Sequence, residues 1–353
     1  MGPDRGHGRR LHRPDERPWP HHGPGDTPSV GLGGITLGGG IGYLVRKTGL
    51  TIDDVLAAEV VTADGELVRA DEETHPDLFW AVRGGGGNFG VVTRLRLRLH
   101  AIDQVVGGML LLPAGPDVIT GLVAAADAAD EDLSLIANVL KAPPLPFIPA
   151  EQHGTPMVMI QMVYAGDAEA GAKAIAPIRA LAPPLTDMVR PIRYPEMYAG
   201  AEGPAPAYAA GTNLLVDDLS TGSAETILAH LETATAALAA VQVRVLGGAM
   251  ARVAGDATAF GHRDARLMVN VAAMDPRAET HAEHEAWAAE LATALADGSA
   301  ERAYVGFVGD EGADGVRRAY PAATLERLAR VKQQYDPDNV FHLNLNVAPA
   351  AAR

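Results

Sequence analysis

Glycine is the residue type whose placement carries chemistry in this sequence. GLGGITLGGGIG, Gly31 to Gly42, holds seven glycines, and GGGGNFG follows at Gly84 to Gly90. Backbone without Cβ lets N–H groups approach a ligand closely and permits positive φ, at a cost of roughly 0.5–1 kcal/mol per glycine in regular structure. Tight turns between packed strands are one reason to accept that cost, and a large anionic cofactor is another. Two clusters so close together, both beside predicted strands, favour the ligand. Gly85 to Gly90 fits G-x-G-x-x-G letter for letter. The dinucleotide fingerprint, however, needs a strand before it and a helix after it. Here a predicted helix precedes and a predicted strand follows, which argues against a nicotinamide Rossmann fold. Neither cluster is followed by a P-loop lysine, so nucleotide hydrolysis has no residue to reach the β and γ phosphates.

The remaining polar groups say less. His281 and His284 lie three apart in a predicted helix, on one face. With no third ligand identifiable they read as a solvated helix face, and no metal site is assigned. GHRDAR, with His262, Arg263 and Asp264, reads as a structural network in a loop before a strand. Asn344 and Asn346 alternate with Phe341, Leu343, Leu345 and Val347. The spacing predicts a short strand with both amides on one face, suited to one polar edge of a ligand. No catalytic residue can be named. The chain contains no cysteine, which removes thiol nucleophiles, zinc–thiolate sites, iron–sulfur clusters and cysteine-linked cofactors.

These groups need elements to position them. With 353 residues, 47% of them hydrophobic, the chain can bury one large or two modest cores. Its net charge of -15 argues against nucleic acid and anionic membrane surfaces as partners. No apolar run reaches membrane-spanning length and the N-terminus has no apolar signal core, so the expectation is a soluble, cytoplasmic protein. Residues 1–25 are arginine- and proline-rich without apolar periodicity and read as a disordered or non-native tail. Within 26–104 the sequence predicts a hairpin near Ala58–Val61 and Glu66–Ala70, turning at Asp64-Gly65. YLVRKTG predicts a short helix ending at Gly49, and another helix is expected after Pro76. VVTRLRLRLH predicts a half-buried strand. Residues 105–308 mix strands, among them LSLIANVL, PMVMIQMVYA, RLMVNVAAM and RAYVGFV, with long alanine-rich helices such as SAETILAHLETATAALAAV. The fold class is α+β, and residues 309–353 form a last segment with a helix breaking near Tyr335-Asp336-Pro337.

TPSVGLGGITLGGGIGYLVRKTGLTIDDVLAAEVVTADGELVRA, then HPDLFWAVRGGGGNFGVVTRLRLRLH, and finally YDPDNVFHLNLNV together resemble the berberine bridge enzyme-like flavoproteins of the vanillyl-alcohol oxidase and p-cresol methylhydroxylase superfamily. The resemblance runs from about Asp26 to the C-terminus. It implies a partial PCMH-type FAD-binding domain, a substrate domain whose antiparallel sheet is covered by helices, and a C-terminal return to the flavin side. It also implies FAD as cofactor. The expected activity is that of an oxidase or dehydrogenase, passing a hydride from an alcohol, hemiacetal or amine to flavin N5, with a small-molecule substrate and dioxygen as acceptor. By this resemblance the FAD-contacting positions are Thr27, Ser29, Val30, Gly31, Gly33, Gly34, Gly38, Gly39, Gly40 and Gly42, with Gly90, Val91 and Val92 near the adenine end. Asn344 and Asn346 would face the flavin.

Departures from the family pattern matter as much. Thr27 stands where some members carry a flavin-linking cysteine. The half-domain whose histidine can bond to the flavin has no counterpart in the sequence, so the expectation is a truncated member that binds FAD weakly or not at all. A catalytically inert ligand-binding or scaffolding remnant is the alternative. In the stretch that resembles the family's tyrosine-base segment, Tyr320 is present but Leu325 takes the aligned position. Oligomeric state is not legible.

Overall fold

The computed structural model describes residues 25–199, 208–296, 302–343 and 345–351, so Asn344 and all but the last residue of the 1–25 tail lie outside the described residues. In chain order, helix α1 (Leu32–Gly38) and helix α2 (Val45–Thr48) lead into β1 (Val55–Val61), β2 (Leu67–Ala70), α3 (Pro76–Val82) and β3 (Val91–Leu97). Next come β4 (Gln104–Pro113), α4 (Pro116–Ala128), β5 (Leu133–Lys141), β6 (Pro156–Tyr164), α5 (Ala168–Arg179), β7 (Thr186–Asp187) and β8 (Arg190–Arg193). Strand β9 (Tyr208–Val216), α6 (Thr221–Glu232), β10 (Leu238–Val245), α7 (Ala249–Arg252), β11 (Leu267–Asp275) and α8 (His281–Leu295) follow, and α9 (Gly312–Ala319) and α10 (Ala322–Tyr335) close the chain. All strand pairs among the described residues are antiparallel. The architecture is α+β.

The chain divides into two compact units. Unit 1 takes the residues up to Asp103, the excursion Ala249–Asp264 and everything from Arg302 onward, and unit 2 takes Gln104–Gly248 and Ala265–Glu301. The continuous middle segment expected at 105–308 is therefore interrupted, because Ala249–Asp264 and Arg302–Val308 belong to unit 1. Two anchors explain the excursion. Trp80 Nε1 donates to Asp256 O at 2.8 Å. Arg263 forms a bidentate pair with Asp53 at 2.7 and 2.8 Å, with only 3% of the arginine side chain exposed. The network expected at GHRDAR is thus present, and His262 Nε2 completes it by donating to Arg318 O.

Unit 1 has a three-stranded sheet in the order β2-β1-β3. Val61 opposes Leu67 across a turn where Gly65 adopts φ +84°, as the Asp64-Gly65 signal predicts. Phe79, Trp80 and Val82 of α3 pack into its core with Phe89, Leu328 and Val331. Unit 2 is an eight-stranded sheet, ordered β7-β4-β6-β5-β10-β11-β9, with β8 also on β4. One face carries the alternating residues Ala137, Val139, Val241, Val243, Val269 and Val271, packed under α4, α5, α6 and α8. At the other face, Leu111, Leu140 and Met157 form a smaller apolar cluster with the loop at Ile148.

Several expected elements differ. Leu32–Gly38, to which the sequence assigns no element, is helical; burial of Thr36 and Gly38 and half-burial of Leu32, Ile35 and Leu37 override a propensity penalty of about 1 kcal/mol per glycine. The alanine-rich run expected to be one helix to Val241 ends at Glu232, and its last part enters strand β10. RAYVGFV forms a short 3-10 turn, Val305–Phe307, instead of a strand. Phe341–Val347 forms no strand among its described residues, and Leu343, expected inward, is 79% exposed. His284 is buried, not solvated, while His281 pairs with Glu285 at 3.3 Å. No described group of residues could hold a metal ion. No helix among the described residues is long and apolar enough to cross a membrane.

Candidate functional site

Unit 1 contains a groove of about 580 Å³ bordered by Gly34, Leu37 and Gly38 of α1, the loop Gly85–Asn88, Val305 and Gly306, Tyr320, and Val340, Phe341, Leu343 and Leu345 of the C-terminal segment. That volume is in the range of ligand sites. The glycines around it divide into two kinds. A Cβ built on Gly31, Gly33, Gly34, Gly86 or Gly87 meets nothing within 4 Å, so these positions face open space. Gly38 meets Val305 at an ordinary 3.6 Å.

Gly39, Gly40 and Gly42 have a structural reason instead. Gly39 (φ +131°) and Gly40 (φ +83°) require the left-handed side of backbone space, and a Cβ on Gly40 would lie 2.2 Å from Thr51 Oγ1. The Gly40 N–H is already used, donating to Tyr304 Oη at 3.0 Å, and a Cβ on Gly42 would strike the backbone of Gly25. Gly90 (φ +148°) packs on Val61 O and immediately precedes β3, where Val91 is exposed and Val92 half-buried. Thr27, Ser29 and Val30 lie exposed in the turn before α1.

One network fixes the two sides of the groove formed by Gly85–Asn88 and the C-terminal segment. The ammonium of fully buried Lys332 donates to Asn88 O, Asp336 Oδ2 and Phe341 O at 2.7, 2.5 and 2.6 Å, which uses all three of its protons. Asp336 also accepts from the N–H groups of Val340 and Phe341. Burial alone would raise this carboxyl, but the Lys332 bond and the two backbone donors hold it below its ordinary value. The Asn88 amide donates to Gly85 O and Leu345 O and accepts from Val347 N. Tyr320 is buried, its hydroxyl donating to Gly84 O at 3.2 Å, and burial raises its pKa above the ordinary phenol value.

Two buried polar atoms on elements that border the groove have no hydrogen-bond partner among the described residues: Thr36 Oγ1 in α1 and Asn346 Oδ1 beside Leu345. Each costs about 1–3 kcal/mol if left so, and such orphans mark a missing partner. A groove with glycine on two sides, open Cβ directions and orphaned acceptors fits a large polar cofactor such as FAD. Of the expected positions, Gly34 and Gly38 line it and Asn346 stands beside it, whereas Thr27, Ser29, Val30, Gly31, Gly33, Gly39, Gly40, Gly42, Gly90, Val91 and Val92 are not among its lining residues. Gly86, Gly87, Asn88 and Lys332 were missed. The density of Gly84–Gly87 and the i,i+4 spacing of Lys332 and Asp336 were the available signals.

An FAD binding domain family model matches residues 15–71, and a berberine and berberine-like family model matches residues 303–348. An uncharacterized FAD-linked oxidoreductase of Bacillus subtilis (strain 168) is 31% identical over 92% of this chain and 72% of its own length. The chain belongs to the berberine bridge enzyme-like FAD-linked oxidoreductases. It is also 28% identical to (R)-6-hydroxynicotine oxidase of Paenarthrobacter nicotinovorans, over 92% of the chain and 72% of that protein. The crystal structure of 6-hydroxy-D-nicotine oxidase from Arthrobacter nicotinovorans superposes with a TM-score of 0.79 at 26% identity, over 92% of this chain and 73% of that one. The flavoprotein resemblance and the oxidoreductase class expected from sequence stand, and the orientation of the glycine-rich run, helix before and strand after, agrees with the rejection of a Rossmann fingerprint.

Proposed function

We propose that the chain binds FAD non-covalently along the unit 1 groove and oxidises a small alcohol, hemiacetal or amine in the cytoplasm. Bound there, FAD would supply the hydride-accepting N5 centre and pass the electrons to dioxygen. The chain's own residues would hold, orient and shield. Gly34, Gly38, Gly86 and Gly87 leave room where side chains would obstruct, and the Thr36 hydroxyl and Asn346 amide offer polar atoms that lack a partner among the described residues. Lys332 and Asn88 keep two of the walls in register. The absence of cysteine excludes a thioether link, and Thr27 offers no nucleophile equivalent to a thiolate. The observation that carries the reading is the glycine-walled groove with orphaned polar atoms on its elements.

The test is purification from a flavin-replete host followed by titration with FAD. Bound yellow flavin, fully released by acid denaturation, and a melting temperature that rises with added FAD are expected. A protein that stays colourless and whose melting is unaffected by FAD would favour the inert ligand-binding remnant.

A further inference from the structure

Helix α4 packs on β5 and β10 within unit 2, and the side chains between them do not fill the space. A cavity of about 10 Å³ remains, walled chiefly by Leu122 and Val123 of α4, Ala137 and Val139 of β5, Val158 of β6 and Val243 of β10. That is close to the smallest void able to hold one water-sized molecule. Every lining side chain is aliphatic and at most 6% exposed, and no polar atom contributes to the wall.

The cavity has a local cause. Ala137 opposes Ile160 on β6 and Val243 on β10, and Val243 in turn opposes Val269 on β11. All four side chains enter the helix-covered core. Three of them are β-branched and fill their share of the layer, whereas Ala137 ends at Cβ and is the one lining side chain smaller than valine. Protein interiors are packed as densely as organic crystals, so one short side chain in such a row leaves a gap. The backbone cannot close it, because β5 is laddered to a neighbouring strand on each side.

The wall decides what can occupy the gap. A water molecule there would lose its hydrogen bonds and find no replacement. Polar organic molecules are excluded for the same reason, and larger apolar ones by size. A small nonpolar molecule loses nothing by leaving water and gains dispersion contacts on all sides. Dioxygen belongs to that class, and it is the acceptor in the oxidation proposed above.

We propose that this cavity is a dioxygen-binding site in the core of unit 2, created by the shortness of Ala137. Its occupancy depends on the aliphatic wall alone and is independent of bound flavin.

The test reads methyl groups. The full chain, labelled with ¹³C at the methyls of isoleucine, leucine and valine, is placed under dioxygen and compared with the same pressure of argon. Dioxygen is paramagnetic and speeds the relaxation of protons beside it. The methyls of Leu122, Val139 and Val243 should show enhancements at least about threefold above those of Ile175 and Leu291, which are as deeply buried in the same core without lining the cavity. Ala137→Val fills the gap and should bring the three down to the level of Ile175 and Leu291, while the melting temperature holds or rises. If valine overpacks the core and the variant does not fold, Val243→Ile adds one carbon from the neighbouring strand, and Leu122 and Val139 report its effect. A uniform enhancement across the core, an enhancement that survives the filling substitution, or magnetisation transfer from water to the Val139 methyls each overturns the proposal. The readout needs neither flavin nor turnover. Its failure leaves the flavin reading standing, and a chain that does not respond to FAD leaves this one standing.

Discussion

The ammonium of Lys332 donates a 2.7 Å hydrogen bond to the backbone carbonyl of Asn88, joining positions 244 residues apart in the sequence. One buried cation thereby holds a glycine loop from the first third of the chain against the segment after α10, because its other two protons go to Asp336 and Phe341 O. Lys332→Met would leave the Asp336 carboxylate buried without its counter-charge. The expected loss is about 3–5 kcal/mol of stability in urea denaturation, part of it recovered in the double variant with Asp336→Asn. A loss below about 1 kcal/mol would show that the network does not hold the segment.

The same carboxyl gives stability a pH dependence whose sign is fixed. Asp336 has a folded pKa below its ordinary 3.8 despite the opposing effect of burial. Its contribution is therefore present above that value and lost as pH falls through the lower folded pKa. For His262, burial lowers the pKa below the ordinary 6.5. The folded protein thus binds fewer protons than the unfolded chain just below pH 6.5, and stability falls there too. Urea midpoints measured from pH 8 down to about pH 2 should decline in two stages, and His262→Gln should flatten the first. A first stage unchanged by that substitution would assign it to another group.

The two kinds of glycine should respond oppositely to substitution. Gly34→Leu adds a side chain in open space beside the groove and removes a helix-interior glycine. Stability without FAD should hold or rise by about 0.5–1 kcal/mol, while the FAD-induced rise in melting temperature disappears. Gly40→Ala must adopt φ +83° and displace Thr51. It should cost roughly 1–3 kcal/mol before any ligand is added. Equal loss of FAD binding with no difference in stability would erase the distinction.

Legibility followed the range of the physics. The β1–β2 hairpin, α3 after Pro76 and the end of α10 at Tyr335 were readable because Gly65, Pro76 and Pro337 act on their immediate neighbours. Helix α1 was not, since its glycines speak against helix and only packing partners distant in sequence reverse that. The groove was half legible. The glycine clusters announced a ligand, but nothing local distinguishes Gly34, which faces open space, from Gly40, whose neighbour Thr51 fills the place of a side chain. The alternation of Phe341, Leu343, Leu345 and Val347 suggested a strand. The backbone there is instead held by donors and acceptors on Lys332, Asp336 and Asn88, whose positions in space no period reveals.

Tyr320 borders the groove and sits close in sequence to where a tyrosine base would be sought, yet its surroundings assign it another task. A general base must release its proton near working pH and touch the reacting atom. Burial moves the Tyr320 phenol further from that condition, and its hydroxyl is already committed as a donor to Gly84 O, at the start of the glycine loop. Tyr320→Phe should leave the pH profile of flavin reduction by substrate unchanged. It should also lower stability by about 1–3 kcal/mol, because the Gly84 carbonyl loses its buried donor. Stopped-flow reduction between pH 6 and pH 10, run beside urea denaturation, separates the two roles: a profile whose alkaline limb moves or vanishes in the variant would make Tyr320 a participant in proton transfer and not a support for the loop.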